Sequence, residues 1–261
     1  MKSLSVAATG MLAQQLNVEV ISNNLANMNT TGFKAQRAEF QDLLYQNIER
    51  VGAASSDAGT VIPSGIQLGV GVKANSVYRI TGQGNLVATD NTYDVAIQGR
   101  GYFQIEMPDG TNAYTRAGAF ALSPTGQLVT GDGYTVNPGI TIPQEATDVS
   151  INAQGEVQAS IPGQVGPQVV GQLVLATFFN EGGLEAVGDN LFLESAASGT
   201  ANLSVPGATG YGTVLQGFLE TSNVNAVAEI TALITAQRAY EMNAKVITTS
   251  DEMLSASTNL K

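Results

Sequence analysis

Apolar residues recur at heptad spacing near both ends of the chain, and this pattern limits the possible folds more than any other feature. Between residues 4 and 28, one core position holds Leu4, Met11, Val18 and Leu25, and the alternate position holds Ala7, Gln14, Ile21 and Met28. Between residues 222 and 258, the two sets are Leu233, Tyr240, Ile247 and Leu254, and Ile230, Gln237 and Ala244. Heptad spacing predicts α-helices with an apolar seam. Because a lone helix cannot bury its seam, the two helices must pair with each other or with other chains.

The ends of both helices carry capping signals. The segment NTTG at residues 29 to 32 predicts the end of the first helix, with Gly32 as a left-handed cap. Ser222 or Asn223 is the expected N-cap of the second helix. Further apolar residues of the second helix lie partly off the seam, at Val227, Ile234, Met242, Val246 and Met253. The second helix is therefore expected to offer apolar surface to more than one partner.

Between the helices the pattern changes to short strands separated by turns. Apolar and polar residues alternate at 93 to 97 and 103 to 107, which predicts half-buried strands. Turn sequences follow at 108 to 110, 123 to 126 and 152 to 155. The apolar run LVLATFF at residues 173 to 179 predicts a more fully buried strand. The middle of the chain is therefore predicted to be an all-β module of antiparallel strands.

Residues 46 to 76 have a different composition, rich in Gly, Ala, Ser and Val, with Gly65, Gly69 and Gly71 in a weakly apolar run. Such a segment is typical of an extended connector. The sequence thus predicts an α+β fold with paired, coiled-coil-like terminal helices and an inserted all-β domain. The expected domains are residues 1–33 with 222–261 as a helical core, 34–76 as the connector, and 77–221 as the all-β domain.

Composition excludes several classes of chemistry. The chain has no Cys and no His, so thiolate sites, disulfides and imidazole bases are impossible. With 11 basic and 22 acidic residues, its net charge of −11 has the wrong sign for nucleic acid or an anionic membrane. The oxygen-rich group Asp90, Asn91 and Asp94 lacks the calcium-loop pattern and indicates a turn instead. We therefore expect no catalytic residue, cofactor or metal.

The N-terminal sequence and the absence of long apolar runs bear on localisation. Gln14, Gln15, Asn17 and Glu19 interrupt the first apolar run before it reaches the length of a signal peptide. No stretch of the sequence approaches the length of a membrane span. If the protein leaves the cytoplasm, we expect a route that needs no cleaved signal.

Several motifs resemble those of the flagellar rod and hook axial proteins. The N-terminal match is SNNL followed by ANMNTTGFK at residues 22 to 34. The C-terminal match is TSNV at 221 to 224, QRAYE at 237 to 241, and Lys245. The middle matches through DVAI at 94, GYFQ at 101, YTRAG at 114 and GQLVT at 126. The length and the long connector make the chain more similar to the distal-rod members than to the proximal-rod or hook members.

The resemblance implies a non-enzymatic structural subunit of a helical tube. In such a tube the terminal helices of many copies form the inner core around a channel, and the β domain lies outside. The implied partners are further copies of the chain, proximal rod proteins, the hook protein, the surrounding bushing rings and the type III export apparatus. The implied location is the flagellar basal body, from periplasm to outer membrane, after export without a cleaved signal peptide.

The expected assembly interface combines seam positions with residues carried over from the matched motifs. It comprises Leu4, Met11, Val18, Ile21, Asn24, Leu25, Asn27, Asn29, Gly32, Phe33, Ile230, Leu233, Gln237, Arg238, Tyr240, Glu241, Ile247 and Leu254. Tyr240 has two equal interpretations, as a core residue or as an intersubunit contact. On this basis Leu233→Asp or Ile247→Asp should abolish assembly and leave the β domain folded.

Two alternatives remain open at this point. The chain could be a proximal rod or hook axial protein, which the connector and the modest middle domain disfavour. It could also be a secreted β-rich protein that binds or hydrolyses carbohydrate. That second alternative explains the turn-rich middle but leaves both terminal heptads without a role.

Overall fold

A computed structural model describes residues 2–49, 64–164 and 166–259. Two long helices lie at the ends, α1 (Lys2–Ala26) and α2 (Ala226–Asn259), with short strands between them. The strands are β1 (Gln36–Asp42), β2 (Tyr45–Glu49), β3 (Ile66–Gly69), β4 (Val72–Arg79), β5 (Leu86–Ala88), β6 (Val95–Gln98), β7 (Tyr102–Glu106), β8 (Asn112–Thr115), β9 (Phe120–Leu122), β10 (Leu128–Thr130), β11 (Thr135–Val136), β12 (Asp148–Ile151), β13 (Glu156–Ser160), β14 (Gln168–Gln172), β15 (Leu175–Thr177), β16 (Glu185–Gly188), β17 (Leu191–Leu193), β18 (Asn202–Ser204), β19 (Thr213–Gln216) and β20 (Phe218–Glu220). The predicted α+β class is confirmed.

The chain forms two compact units whose limits differ from the expected domains. The helical unit contains Met1–Ala26, Gln36–Tyr78 and Asn225–Lys261. The β unit contains Asn27–Ala35 and Arg79–Val224. The motif that follows α1 thus belongs to the β unit, whereas the described residues 36–49 and 64–76 of the expected connector belong to the helical unit.

In the helical unit, α1 and α2 pack in opposite directions. The hydroxyl of Ser3 lies 3.4 Å from that of Ser250. A Cβ at Gly10 would lie 2.9 Å from Asn243 Nδ2, so the two helices are also close at this point. Pairing residue 3 with 250 and residue 10 with 243 defines an antiparallel register. The two terminal helices therefore pair within one chain.

The first helix ends earlier than the heptad pattern predicted. It stops at Ala26, so Met28 lies beyond the helix and is exposed. Gly32 does have a φ of +70°, but its N–H donates to the Glu220 carbonyl at 2.8 Å and not to the last turn of α1. The prediction of Gly32 as the helix cap is therefore wrong, because this glycine serves a contact within the β unit.

The second helix also begins at a different cap. The side-chain oxygen of Asn225 accepts hydrogen bonds from the backbone N–H groups of Val227 and Ala228 at 3.1 and 3.2 Å. Asn225 is thus the N-cap, in place of the predicted Ser222 or Asn223. Asn223 has another role, since its Oδ1 accepts from the Ala35 N–H at 2.7 Å.

The described part of the expected connector forms strands. β2 pairs antiparallel with β3, and β1 pairs with β4. Gly71 has a φ of +135°, and a Cβ there would lie 2.3 Å from Thr9 Oγ1 of α1. Only glycine fits this close approach. Residues 50–63 of the expected connector lie outside the described residues.

The β unit is built on one large antiparallel sheet with the order β16-β17-β8-β7-β11-β10-β9, and β15 pairs with both β7 and β18. Smaller sheets join β12-β13-β14, β6-β19 and β5-β20. The turns predicted at 108 to 110, 123 to 126 and 152 to 155 are confirmed, and the latter two connect β9 to β10 and β12 to β13.

The expected alternation of buried and exposed residues is wrong for the central strand β7. Its residues from Tyr102 to Ile105 are all buried, because hydrophobic clusters lie on both faces of the strand. β6 is likewise buried at Val95, Ala96 and Ile97. The prediction of a buried strand at 173 to 179 is right for β15 but wrong for Phe179, which is 98% exposed. The strand ends at Thr177, and the chain turns outward after Phe178.

Candidate assembly surfaces

A groove runs along one side of the helix pair, and we call it the Tyr240 groove. Its volume is about 520 Å³, and it is lined by Gln15, Val18, Glu19, Gln237, Tyr240 and Glu241. Four of these residues, Val18, Gln237, Tyr240 and Glu241, were expected at an assembly interface. Tyr240 is 44% exposed. Its position favours the intersubunit interpretation, because the residue is covered only in part within its own chain.

A second groove, the Val227 groove, lies along the N-terminal half of α2. Its volume is about 750 Å³. It is lined by Gln14, Asn17, Asn225, Val227, Ala228, Thr231, Ala232, Thr235, Ala236 and Ala239. None of these residues was in the expected assembly interface, although Gln14 was expected in the α1 seam and Val227 on the apolar surface of α2 outside the seam. Most of them have small or hydroxylated side chains, which are not strongly hydrophobic, so hydrophobic periodicity in the sequence does not identify them.

Exposed apolar side chains on α2 form two rows. The N-terminal row is Val227, Ile230 and Ile234, and the C-terminal row is Met242, Val246 and Met253. Their spacings of three, four and seven residues keep each row on one side of the helix. Because α1 covers neither row, α2 has apolar surface left for further partners, as the sequence predicted.

The seam between the helices is shifted by one residue on α2. Leu233, Ile247 and Leu254 are half-buried, which fits their predicted seam position. The alternate seam positions are Glu229, Ala236 and Asn243, each one residue before the expected Ile230, Gln237 and Ala244, and Ser250 continues them at the same spacing. Ala236 and Ser250 are both 2% exposed, so small residues form the tightest part of the seam.

The seam residues of α1 are covered to different degrees. Ile21 is 5% exposed, and Ala7 and Ala13 are also buried. The other expected positions, Leu4, Met11, Val18 and Leu25, are half-buried. On α2, Gln237, Arg238 and Glu241 are exposed. The pair thus covers its own seam in part and leaves the flanks open.

The motif after α1 is held inside the β unit. A Cβ at Gly32 would lie 2.7 Å from the Ala117 nitrogen, so any side chain there would collide with backbone. Asn27 Oδ1 accepts a hydrogen bond from Thr30 Oγ1 at 3.1 Å. Phe33 is half-buried, whereas Asn29 is exposed. Gly32 and Asn27 therefore shape this loop within one chain.

Next to this motif lies a buried ion trio of Lys34, Arg116 and Glu220. Glu220 Oε1 accepts from Lys34 Nζ at 2.6 Å, and Oε2 accepts from Arg116 Nε at 2.9 Å. The three side chains are 3%, 4% and 1% exposed. Burial lowers the pKa of the Lys34 ammonium, while its hydrogen bond and attraction to Glu220 oppose that shift.

The trio connects segments that are far apart in the sequence. Arg116 Nη1 donates to the carbonyls of Gly101 and Gly99 at 2.6 and 2.9 Å. Lys34 Nζ also donates to the Gly82 carbonyl at 2.9 Å. Lys34 and Arg116 lie in matched motifs, but no sequence signal marked Glu220 as their shared partner.

Asn24 fixes the start of β1 against α1. Its Nδ2 donates to the Gln36 carbonyl, and its Oδ1 accepts from the Gln36 N–H, both at 2.8 Å. The side chain is 1% exposed. Asn24 was expected at the assembly interface, but the structure shows it in contact within its own chain.

Asn24→Ala is expected to lower the free energy of unfolding of the helical unit by about 2–3 kcal/mol, because both polar groups of Gln36 lose their partner. Urea unfolding followed by far-UV circular dichroism measures this change. The exposed neighbour substitution Ser22→Ala is the control and should stay within about 0.5 kcal/mol of the parent. An equally small change for Asn24→Ala would contradict the assignment.

The described residues contain no group of Asp and Glu side chains arranged to hold a metal ion. Asp94 accepts hydrogen bonds from Thr89 Oγ1 and Asn91 Nδ2 at 2.6 and 2.9 Å, so it is engaged in a local turn. Neither helix, over its described residues, is long and apolar enough to cross a membrane.

Comparison with known families gives three matches along the chain. Residues 4–34 match the model described as Flagella basal body rod protein. Residues 96–159 match Flagellar hook protein FlgE/F/G D1 domain, and residues 215–260 match Flagellar basal body rod FlgEFG protein C-terminal. The first match covers α1 with its following motif, and the last covers α2.

Similar chains extend over the full length. A chain named Flagellar basal-body rod protein FlgG from Caulobacter vibrioides is 64% identical, with 100% of both chains covered. A chain of the same name from Agrobacterium fabrum is 53% identical, with 100% of both chains covered. Another from Buchnera aphidicola subsp. Acyrthosiphon pisum is 50% identical, with 97% of this chain and 96% of the other covered. The full-length similarities agree with the terminal helices, whose flanks are open, and with the motif that the ion trio holds in place. The chain therefore belongs to the family of flagellar basal-body rod proteins.

Proposed function

We propose that the protein is a non-enzymatic structural subunit of the flagellar distal rod. Copies polymerise into a rigid hollow shaft that transmits motor torque to the hook and lets exported subunits pass. The observation that carries the proposal is the exposed apolar surface of α2, at both of its rows. It is supported by the full-length similarity to chains named for the basal-body rod.

The helix pair is suited to packing among several identical pairs. Each pair has a groove on either flank and two uncovered apolar rows, so neighbouring copies can cover several separate surfaces. Contacts between unlike surfaces that do not close into a ring generate a helix. Separate small contacts also suit a subunit that must remain monomeric until it is delivered.

The exposure of the side chains selects the residues of the proposed assembly interface. Ile230, Gln237, Arg238, Tyr240 and Glu241 remain in the proposed interface, since all five are exposed on α2. Val227, Ile234, Met242, Val246 and Met253 join them. The half-buried seam residues contribute the edges that the helix pair leaves uncovered; they are Leu4, Met11, Val18, Leu25, Leu233, Ile247 and Leu254. The loop after α1 contributes Asn29 and Phe33.

Partners and location follow from the same proposal. Proximal rod proteins and the hook protein continue the axis at the two ends of the shaft, and bushing rings surround it. The export apparatus delivers the subunit to the basal body, between periplasm and outer membrane, without cleavage of a signal peptide. The proposal includes no nucleic acid and no insertion into a membrane.

A photocrosslinking experiment tests self-assembly through the helices. Tyr240→p-benzoylphenylalanine places a photoreactive group in the Tyr240 groove, and irradiation of isolated basal bodies should yield covalent multimers of this chain. The same variant, purified as dilute monomer, is the control and should yield none. Absence of multimers from basal bodies that contain the variant would refute the role of this groove.

We also expect the free subunit to have partly disordered termini that become ordered on joining the rod, because each helix pair lacks neighbours on two flanks. Hydrogen exchange should show weaker protection of α1 and α2 in dilute monomer than in assembled rods, most of all at the outer ends of both helices. The β unit, with its own buried clusters, should be protected in both. Strong protection of both helices in dilute monomer would contradict this expectation.

A further inference from the structure

The exposed charged side chains of the β unit are nearly all negative. Its cations are Lys34, Arg79, Arg100 and Arg116. Lys34 and Arg116 are buried in the ion trio, and half-buried Arg79 lies over the Phe192 ring and donates to the Leu184 carbonyl. Arg100 alone is exposed among the described residues of this unit, where nine carboxylate side chains are exposed. Two β units therefore repel each other unless they meet near Arg100.

Phe179 is an apolar anchor close to that arginine. Its side chain is 98% exposed, although the preceding Phe178 is buried and packs edge-on against Tyr102 with ring centroids 5.9 Å apart. Two residues after Phe179, the Glu181 carboxylate accepts from Arg100 Nε and Nη2 at 3.3 and 3.2 Å. An exposed aromatic ring thus lies two residues from the carboxylate that binds Arg100, which is the one exposed cation in the described part of this unit.

The backbone around Phe179 is held firmly. Asn180 Nδ2 donates to the Ala197 carbonyl at 3.0 Å, and Ser195 Oγ donates to the Gly183 carbonyl at 2.6 Å. A Cβ at Gly183 would lie 2.6 Å from the Ala197 carbonyl carbon, so the turn is tightly packed. An anchor on a fixed backbone loses little backbone freedom when it binds, which favours a role in docking.

A pocket of about 320 Å³ opens beside these residues. Its lining includes Gln83, Arg100, Tyr102 and Glu181. The Gln83 side-chain amide is fixed, because it donates to the Ile97 carbonyl at 2.7 Å and accepts from the Gly99 N–H at 3.0 Å. The Arg100 side chain remains 66% exposed despite its contact with Glu181. The site can therefore still receive a carboxylate from outside.

We propose that Phe179, Arg100 and the adjacent pocket form a docking surface for the β unit of a second copy of this chain. The second copy supplies a carboxylate to Arg100, because its surface is rich in carboxylates, and it covers the Phe179 ring. This inference rests on the proposed function, since only assembly brings β units together. An aromatic ring beside an arginine is also the composition that protein interfaces favour.

The photoreactive variant Phe179→p-benzoylphenylalanine identifies the occupant. Irradiation of isolated basal bodies should produce a covalent dimer whose cross-linked peptide maps to the β unit of a second copy. A product with a different protein, or no product, would overturn the inference. The Tyr240 variant separates the two proposals: multimers through Tyr240 without a Phe179 dimer would reject only this docking surface.

Charge reversal tests the role of Arg100. Arg100→Glu should lower the number of rod-bearing basal bodies about fivefold, through repulsion by the neighbour's carboxylates, whereas Arg100→Lys should stay within about twofold of the parent. Far-UV circular dichroism of the purified variants confirms an unchanged fold. Equal numbers for Arg100→Glu and the parent would overturn the inference.

Discussion

Glu220→Gln is expected to lower the free energy of unfolding of the β unit by about 3–5 kcal/mol, because it leaves two buried cations without their shared carboxylate. Glu220 Oε1 also accepts the Gly84 N–H at 3.0 Å, and the Glu220 backbone accepts the Gly32 N–H. The substitution therefore weakens the places where the motif loop, β20 and the central strands meet.

Urea unfolding of the purified full-length protein measures this loss, with Tyr fluorescence and circular dichroism as probes because the chain has no Trp. Glu145→Gln, at an exposed carboxylate of the same unit, is the matched control and should change stability by less than about 0.5 kcal/mol. A loss below about 1 kcal/mol for Glu220→Gln would show that the trio does not hold the unit together.

The pH dependence gives a second signature of the same change. Without Glu220, its hydrogen bond and its attraction no longer raise the Lys34 pKa, so burial lowers that pKa further. Between the lowered pKa and the ordinary value of 10.5, the unfolded chain then binds more protons than the folded one, and stability rises with pH. The parent shows the same rise only above its own Lys34 pKa, which is lowered less, so the deficit of Glu220→Gln should shrink between the Lys34 pKa of the variant and that of the parent.

Ile230→Asp is expected to lower incorporation of the subunit into basal bodies by about a hundredfold, since a carboxylate buried at an interface without a partner costs several kcal/mol in every copy. Ile230 is 46% exposed on α2 and lies in the N-terminal apolar row. The stability of the free subunit should change by less than about 0.5 kcal/mol.

Immunoblotting of isolated basal bodies measures incorporation, and circular dichroism of the purified subunit checks its fold. Ile230→Leu keeps an apolar side chain and is expected to assemble normally. Leu233→Asp differs from both, because half-buried Leu233 lies in the seam with α1, so it should reduce helix content as well as assembly. Normal incorporation of Ile230→Asp would remove this row from the interface.

Periodicity and turn chemistry predicted the main architecture. The heptads located both helices, and Gly and Asn at the turns located the hairpins, because these signals depend on neighbours in the sequence. The shift of the α2 seam escaped prediction because Ala236, Asn243 and Ser250 pack closely without being strongly apolar. The burial of β7 on both faces depended on strands that lie distant in the sequence.

The candidate site was predicted only in part for the same reason. Tyr240, Gln237 and Glu241 were expected at an interface and line a groove. Asn24 and Gly32 were expected there too, but they make contacts within the chain, since their partners at Gln36 and Ala117 carry no sequence signal. Glu220 and Phe179 became visible only through burial and exposure, which arise from the assembled fold.

Electron microscopy of basal bodies from a strain that lacks this gene tests the distal-rod assignment most directly. We expect a rod that stops partway and carries no hook, and complementation with the intact gene should restore full length. A complete rod without a hook would indicate a hook protein instead. Normal flagella in the deletion strain would contradict the proposed function.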